Sequence, residues 1–169
     1  MTVSRKFLAS RSSLVHALAI SLTTLMLVGV AQADGHEKDA ARLKYRQSLM
    51  SIVGTNMGAI GDIMKNQLAV PGGIANHAGQ MAESAALIAP AFKKQITDGP
   101  TDAKPEIWQD WAKFEKAIAD FTEAARGLQT AAAGGDPAAV GPAMKALGKS
   151  CGGCHKPFRK PKEESYKSK

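Results

Sequence analysis

The sequence predicts an all-α protein whose helices pack as an antiparallel, left-handed four-helix bundle. Apolar side chains recur at alternating three- and four-residue steps in four segments, which is the pattern of helices that bury one face. No segment alternates with period two, and alanine, a strong helix former, is abundant. The breaks within the first and the last pair of segments are short, which favours antiparallel neighbours and a left-handed bundle.

The first predicted helix covers residues 38–67 and the second covers residues 74–96. Residues 71–73, Pro-Gly-Gly, separate the two helices because proline and glycine interrupt helical backbone. The apolar stripe of the first helix consists of Leu43, Arg46, Met50, Val53, Met57, Ile60 and Met64. The stripe of the second helix consists of Ile74, Ala78, Met81, Ala85, Ile88 and Phe92.

The third helix is expected to begin near Pro105, and residues 133–135, Ala-Gly-Gly, end it. Asp136 is suited to cap the fourth helix, with Pro137 at its first position. The third stripe consists of Ile107, Trp111, Phe114, Ile118, Phe121, Ala125 and Leu128. The fourth consists of Val140, Met144, Leu147, Cys151, Cys154 and Phe158.

The segment CGGCH, residues 151–155, contains the only two cysteines of the chain. This spacing is the attachment signature of c-type haem, in which both thiols bond to the haem and the adjacent histidine binds the iron. We therefore predict one covalent haem c with iron, attached to Cys151 and Cys154, with His155 as an axial iron ligand. Because both cysteines fall on the fourth stripe, the haem would be held against the bundle interior.

The residues leave other interpretations of the cysteine pair open. A thioredoxin-like dithiol would need a βαβ surrounding, and no segment has a strand pattern. A zinc site would need two further ligands, and His16, His36 and His77 form no second cluster. A disulfide within the pair would close a small, strained loop. The haem interpretation is favoured.

The N-terminus has the pattern of a cleaved secretory signal peptide over residues 1–33. Basic residues precede an apolar run, which ends in the small-x-small sequence Ala31-Gln32-Ala33. We expect an exported, periplasmic bacterial domain over residues 34–169, without stable membrane insertion after cleavage. Its basic segment after His155 is expected to be a frayed tail, or else a docking patch for an acidic redox partner or anionic lipid. We expect no binding to nucleic acid.

Three motifs extend the haem signature to most of the mature chain. They are KYRQSLM at residues 44–50, PEIWQDWAKFEKAIADF at residues 105–121 and CGGCHKPFR at residues 151–159. Together with the C-terminal position of CxxCH, they resemble the class II c-type cytochromes, cytochrome c-prime and its low-spin relatives cytochrome c-556. The sequences of the first and third helices resemble the c-556 branch more closely.

The resemblance implies a role for each matching residue. Cys151 and Cys154 form the thioether bonds, and His155 is the proximal iron ligand. Arg46 pairs with a haem propionate, which would also explain an arginine on a core stripe. Arg159 lies beside the proximal face of the haem, although it could equally be a solvated cation of the tail.

Met50 separates two predicted functions. The resemblance places it on the open side of the haem, where its sulfur would be the sixth iron ligand, with Met57 as the second candidate. The preferred prediction is a one-electron carrier with a low-spin, His155/Met50-ligated haem, serving redox partner proteins. The alternative is a five-coordinate, high-spin cytochrome c-prime that binds nitric oxide or carbon monoxide, with Met50 a core residue. We expect no enzymatic activity and consider a homodimer possible.

Overall fold

The structure is a computed structural model that describes the backbone of residues 12–168 and the side chains of residues 35–168. Within that part of the chain it contains no β-strand, only an isolated antiparallel bridge between Ala103 and Arg159. The helices are α1 (Ser12–Asn66), α2 (Gly73–Ala85), α3 (Ile88–Phe92), α4 (Glu106–Gln109), α5 (Trp111–Ala133) and α6 (Pro137–Phe158). Two 3₁₀ turns follow, Lys162–Glu164 and Tyr166–Ser168.

The chain divides into two compact units, Met1–Asp39 and Ala40–Lys169. The predicted signal peptide lies in the first unit. Its residues 1–11, and the side chains up to residue 34, are outside the described residues, so its cleavage stays a prediction. Across the described residues, no helix is sufficiently long and apolar to cross a membrane.

All four long helices contribute to the core of the second unit. The largest fully buried side chains are one from each helix, in the order α1, α2, α5 and α6: Ile60, Met81, Leu128 and Leu147. All four lie on the predicted apolar stripes, because residues spaced three and four apart meet on one side of a helix. The prediction of an all-α four-helix bundle is confirmed.

The second and third predicted helices are each interrupted. The second is divided into α2 and α3, and Pro90 within α3 lacks the amide hydrogen that a continuous helix would need. The third is divided at Asp110, whose φ of −131° and ψ of 69° are not helical. The Asp110 side chain accepts a hydrogen bond of 3.0 Å from the amide of Lys113, so this residue caps α5.

The start of α6 agrees with its prediction. Asp136 caps the helix, its Oδ1 accepting a bond of 2.9 Å from the amide of Ala138, and Pro137 follows at the first position. We expect Asp136→Ala to lower the free energy of unfolding by about 1 kcal/mol, because an amide at the helix start loses its acceptor. Chemical denaturation followed by circular dichroism measures this. Asp136→Ser retains a cap and should remain within about 0.5 kcal/mol of the parent; an equal loss in both variants would contradict the capping role.

The C-terminal segment is not the frayed tail that the sequence predicts. Ser165 is buried, and its hydroxyl donates a bond of 2.9 Å to Oδ2 of Asp102. The amide of Tyr166 donates a bond of 3.0 Å to Oδ1 of the same carboxylate. The segment therefore packs against the connection between α3 and α4, where Asp102 supplies the hydrogen-bond acceptors. Local sequence periodicity does not reveal a contact between residues so far apart in the chain.

Candidate haem site

The two cysteines lie one helical turn apart on α6. Both are half-buried and pack against the hydrophobic core, because positions three apart share one face of a helix. His155 follows Cys154 directly, and the protein covers only part of its ring. The last turn of α6 thus presents two thiols and an imidazole within five residues.

The electrostatics of these groups argue against a redox-active dithiol. Burial raises the pKa of Cys151 and, with the nearby Cys151 charge as a second cause, raises the pKa of Cys154 to about 11. A reactive dithiol needs a lowered thiol pKa. Among the described residues, no three His, Cys, Asp or Glu side chains form a metal-binding group, which also disfavours zinc.

The imidazole of His155 has a lowered pKa. Partial burial of the ring is the main cause, and the positive charge of Arg159 adds to it. A lowered pKa keeps the ring neutral at physiological pH, and a neutral imidazole is the form that binds a metal. His155 is therefore electrostatically prepared for the ligand role that the sequence predicts.

An aromatic cluster fixes the end of α6 next to the cysteines. Phe158 stands edge-on to Phe114 of α5, with ring centroids 5.2 Å apart. Phe114 also contacts Phe92 of α3 and Trp111 of α5, each at 5.5 Å between centroids. Such pairs contribute about 0.5–1.5 kcal/mol each beyond their buried area. The cysteine-bearing turn is consequently held against α3 and α5.

Arg46 is buried, with 3% of its surface exposed. Its Nε donates a bond of 2.9 Å to the carbonyl of Ala91, and its Nη2 donates to the carbonyl of Lys94. The guanidinium stands 4.6 Å from the ring centroid of Phe92 and 5.6 Å from that of Trp108. Arg46 therefore ties α1 to the end of α3, a role that the sequence did not reveal; its pairing with a propionate stays a prediction.

Met50 lies one turn after Arg46 on α1 and is half-buried against the core. The neighbouring Leu49, which the predicted stripe omits, is almost completely buried. Met57 is also half-buried, whereas Met64, at 38% exposure, faces solvent more than the stripe predicts. Met50 and Met57 thus line the margin of the core rather than its centre.

Arg159 caps the C-terminal end of α6, where its amide donates a bond of 3.0 Å to the carbonyl of His155. The helix ends at Phe158, directly after Pro157, as a proline near its end would favour. The Nη2 atom of Arg159 is 3.5 Å from Oδ2 of Asp102. Arg159 therefore lies close to His155, while its contact with a haem stays a prediction.

His77 takes part in a helix–helix contact. Its Nδ1 is 2.7 Å from Oδ1 of Asn56, which links α2 to α1. Asn56 is buried, and its amide nitrogen donates to the carbonyl of Ile52. Because that amide nitrogen is the donor, Oδ1 is the acceptor and His77 carries the shared proton. This arrangement gives His77 a structural role.

The residues fit a covalently attached haem. Two thiols share one face of α6, and an imidazole with a lowered pKa follows directly, which is the donor set that c-type haem requires. Half-buried apolar side chains on α1 and α6 suit a flat, largely apolar ring. These are Met50, Val53, Met57 and Met144.

Comparison with known proteins agrees with this site. The family model described as Cytochrome C' matches residues 41–159. Cytochrome c' from Rhodospirillum rubrum is 39% identical over 150 residues, covering 88% of this chain and 97% of the relative.

Solved structures of the Alcaligenes xylosoxidans protein are also similar. The nitric oxide complex of a leucine-to-alanine mutant of its cytochrome c prime is 31% identical, covers 73% of this chain and 96% of that chain, and has a TM-score of 0.65. A carbon monoxide-bound leucine-to-glycine variant is 30% identical, covers 71% and 94%, and has a TM-score of 0.63.

These findings correct the preferred functional prediction. The low-spin electron carrier with a His155/Met50-ligated haem is wrong, because the relatives are named cytochrome c' and the similar solved structures hold nitric oxide or carbon monoxide. The leaning towards the c-556 branch is not confirmed. Proteins of the matched family carry a covalent c-type haem with iron, as CGGCH predicts. The chain belongs to the cytochrome c' family.

Proposed function

We propose that the protein binds the diatomic gases nitric oxide and carbon monoxide at a five-coordinate haem iron. The observation that carries this proposal is the similarity to cytochrome c prime structures with nitric oxide and carbon monoxide bound. The site is compatible with it, because the CGGCH turn supplies two attachment thiols and one imidazole whose pKa is lowered. A haem held by Cys151, Cys154 and His155 would be able to bind a gas if no second side chain bound its iron.

The residues of the chain have distinct roles in this proposal. Cys151 and Cys154 hold the haem against the core, and His155 is the axial ligand. Arg46, whose guanidinium donates to the carbonyls of Ala91 and Lys94, would also offer its charge to a propionate. Met50 contributes an apolar side chain on the open side, where its bulk excludes water and restricts larger ligands.

The same proposal extends to the oligomeric state, the location and the redox partner of the protein. Cytochrome c' proteins are often homodimers, and we propose the same for this chain. The signal-peptide pattern supports a periplasmic location, the compartment where exported haem proteins mature. A redox partner protein would keep the iron ferrous, the state to which carbon monoxide binds. The haem acts as a binding group without enzymatic turnover.

The absorption spectrum of the purified holoprotein, oxidised and reduced, tests the proposed function. We expect a high-spin spectrum that shifts when carbon monoxide is added to the reduced protein. A low-spin spectrum with a far-red sulfur-to-iron band and no response to carbon monoxide would overturn the proposal.

The side chain of Met50 should limit gas affinity rather than bind iron. We expect Met50→Ala to tighten carbon monoxide binding by about tenfold, since removing bulk beside the bound gas relieves crowding of about 1.4 kcal/mol. The spin state should stay unchanged. Met64→Ala on the same helix, at a more exposed methionine, is the matched control and should leave affinity unaltered. Conversion of a low-spin to a high-spin haem in Met50→Ala would contradict this prediction.

A further inference from the structure

Asp102 lies in the connection between α3 and α4 and contacts the chain on both sides of Ser165. Its side chain is only 11% exposed, and both carboxylate oxygens accept hydrogen bonds from the C-terminal segment. Its carbonyl accepts a further bond of 2.7 Å from the amide of Lys160. One residue thus holds three separate points of the segment that follows the haem-attachment turn.

The same carboxylate reaches the residue that caps α6. Oδ2 of Asp102 is 3.5 Å from Nη2 of Arg159, whose side chain is 53% exposed. The Ala103–Arg159 bridge and the bond of 3.0 Å from the amide of Lys104 to the carbonyl of Phe158 fix the two backbones side by side. The nearly buried Asp102 carboxylate therefore holds the guanidinium of Arg159, and the end of α6 holds the backbone of the same residue.

The anchored charge lies one turn from His155. The amide of Arg159 donates a bond of 3.0 Å to the carbonyl of His155, which fixes the two residues within one turn of each other. A neighbouring cation disfavours the ferric state of a haem iron, and the size of this effect depends on where its charged group is held. The position at which Asp102 holds the Arg159 guanidinium thus sets the strength of the positive electrostatic field at His155.

We propose that Asp102 is a positioning residue that holds Arg159 and the C-terminal segment at the end of α6, and thereby sets the electrostatic field on the His155 side of the haem. The inference rests on the proposed haem ligation by His155, and it deepens the proposed function because carbon monoxide binds the ferrous state, whose stability this field controls. It assigns a role to a residue 53 positions away from the ligand in sequence.

The test is the reduction potential of the holoprotein, measured by spectroelectrochemistry without any gas. We expect Asp102→Asn to raise the potential, because the Arg159 guanidinium is no longer held at Asp102 and can move closer to the His155 side. Arg159→Gln should lower it. Since Asp102 acts through Arg159, the double variant should match Arg159→Gln alone, and additive shifts would overturn the proposal. Asp98→Asn, an exposed carboxylate in the same connection, is the control and should leave the potential unchanged.

Hydrogen exchange provides a readout that does not involve the haem. We expect the amides of Lys160 and Tyr166 to exchange about fivefold faster in Asp102→Asn, as the loss of a partly buried ion pair of about 1 kcal/mol would produce. Unchanged exchange rates would overturn the positioning role. A protein that binds no gas but shows these shifts would refute the proposed function and leave this inference standing, so the two fail separately.

Discussion

Replacing Cys151 and Cys154 together by serine is expected to remove all covalently bound haem. A serine hydroxyl lacks the nucleophilic sulfur that adds to the vinyl groups, and the half-buried face of α6 offers no other thiol, since the chain has only two cysteines. Haem staining of the polypeptide after denaturing electrophoresis measures the effect. The result does not depend on whether the variant folds, because only covalent haem survives denaturation.

Matched variants sharpen this test. Each single variant, Cys151→Ser or Cys154→Ser, should retain haem through one bond and show the mass of one haem on the chain. Lys149→Ser introduces the same residue at an exposed position of α6 and should stain like the parent. Haem that remains on the double variant would mean that CGGCH is not the attachment site.

Replacing Arg46 by methionine is expected to lower the free energy of unfolding of the holoprotein by about 2–4 kcal/mol. The side chain is almost fully buried, and its charge-assisted bonds to the carbonyls of Ala91 and Lys94 would be lost, one of them buried and the other partly buried. The stacking against Phe92 would lose its cation as well. Denaturant titration followed by circular dichroism measures the change.

The control for Arg46 is Arg126→Met on the exposed face of α5, where we expect a change within about 0.5 kcal/mol. Arg46→Lys keeps the charge but loses the planar fork that serves two carbonyls, so an intermediate loss is expected. If Arg46→Met were as stable as Arg126→Met, the hydrogen bonds of Arg46 would contribute nothing to the free energy of unfolding. The predicted propionate contact would then be the remaining explanation for this buried charge.

Periodicity predicted the bundle because a helix stripe is a local property of the chain. The cap at Asp136 was predicted from the residue type before Pro137, and the cysteine face of α6 from the spacing, since both depend on neighbouring positions. Periodicity did not predict the break at Asp110, where a side chain competes with the backbone for an amide. It also missed the folded C-terminus, because Ser165 and Asp102 are 63 positions apart and no periodicity connects them.

The sequence predicted the haem-binding turn but not the state of its iron. The signature for attachment is a fixed spacing of residue types whose chemistry is specific. A methionine is different, because the same thioether serves as an iron ligand or as a flexible core filler, and only its surroundings decide. Met50 sits at the margin of the core, where both are sterically possible, and it was the relatives that favoured gas binding over electron transfer.

The distribution of the core has a consequence for biosynthesis. Each long helix contributes one of the four largest fully buried side chains, which are Ile60, Met81, Leu128 and Leu147. A chain that ends before α6 therefore lacks one of these four side chains. Because α6 follows the other three long helices along the chain, the interior cannot close before the helix that carries both cysteines is available. The bundle is thus completed at the same stage at which the cysteines become available for haem attachment. We expect shortened chains to be degraded rather than matured.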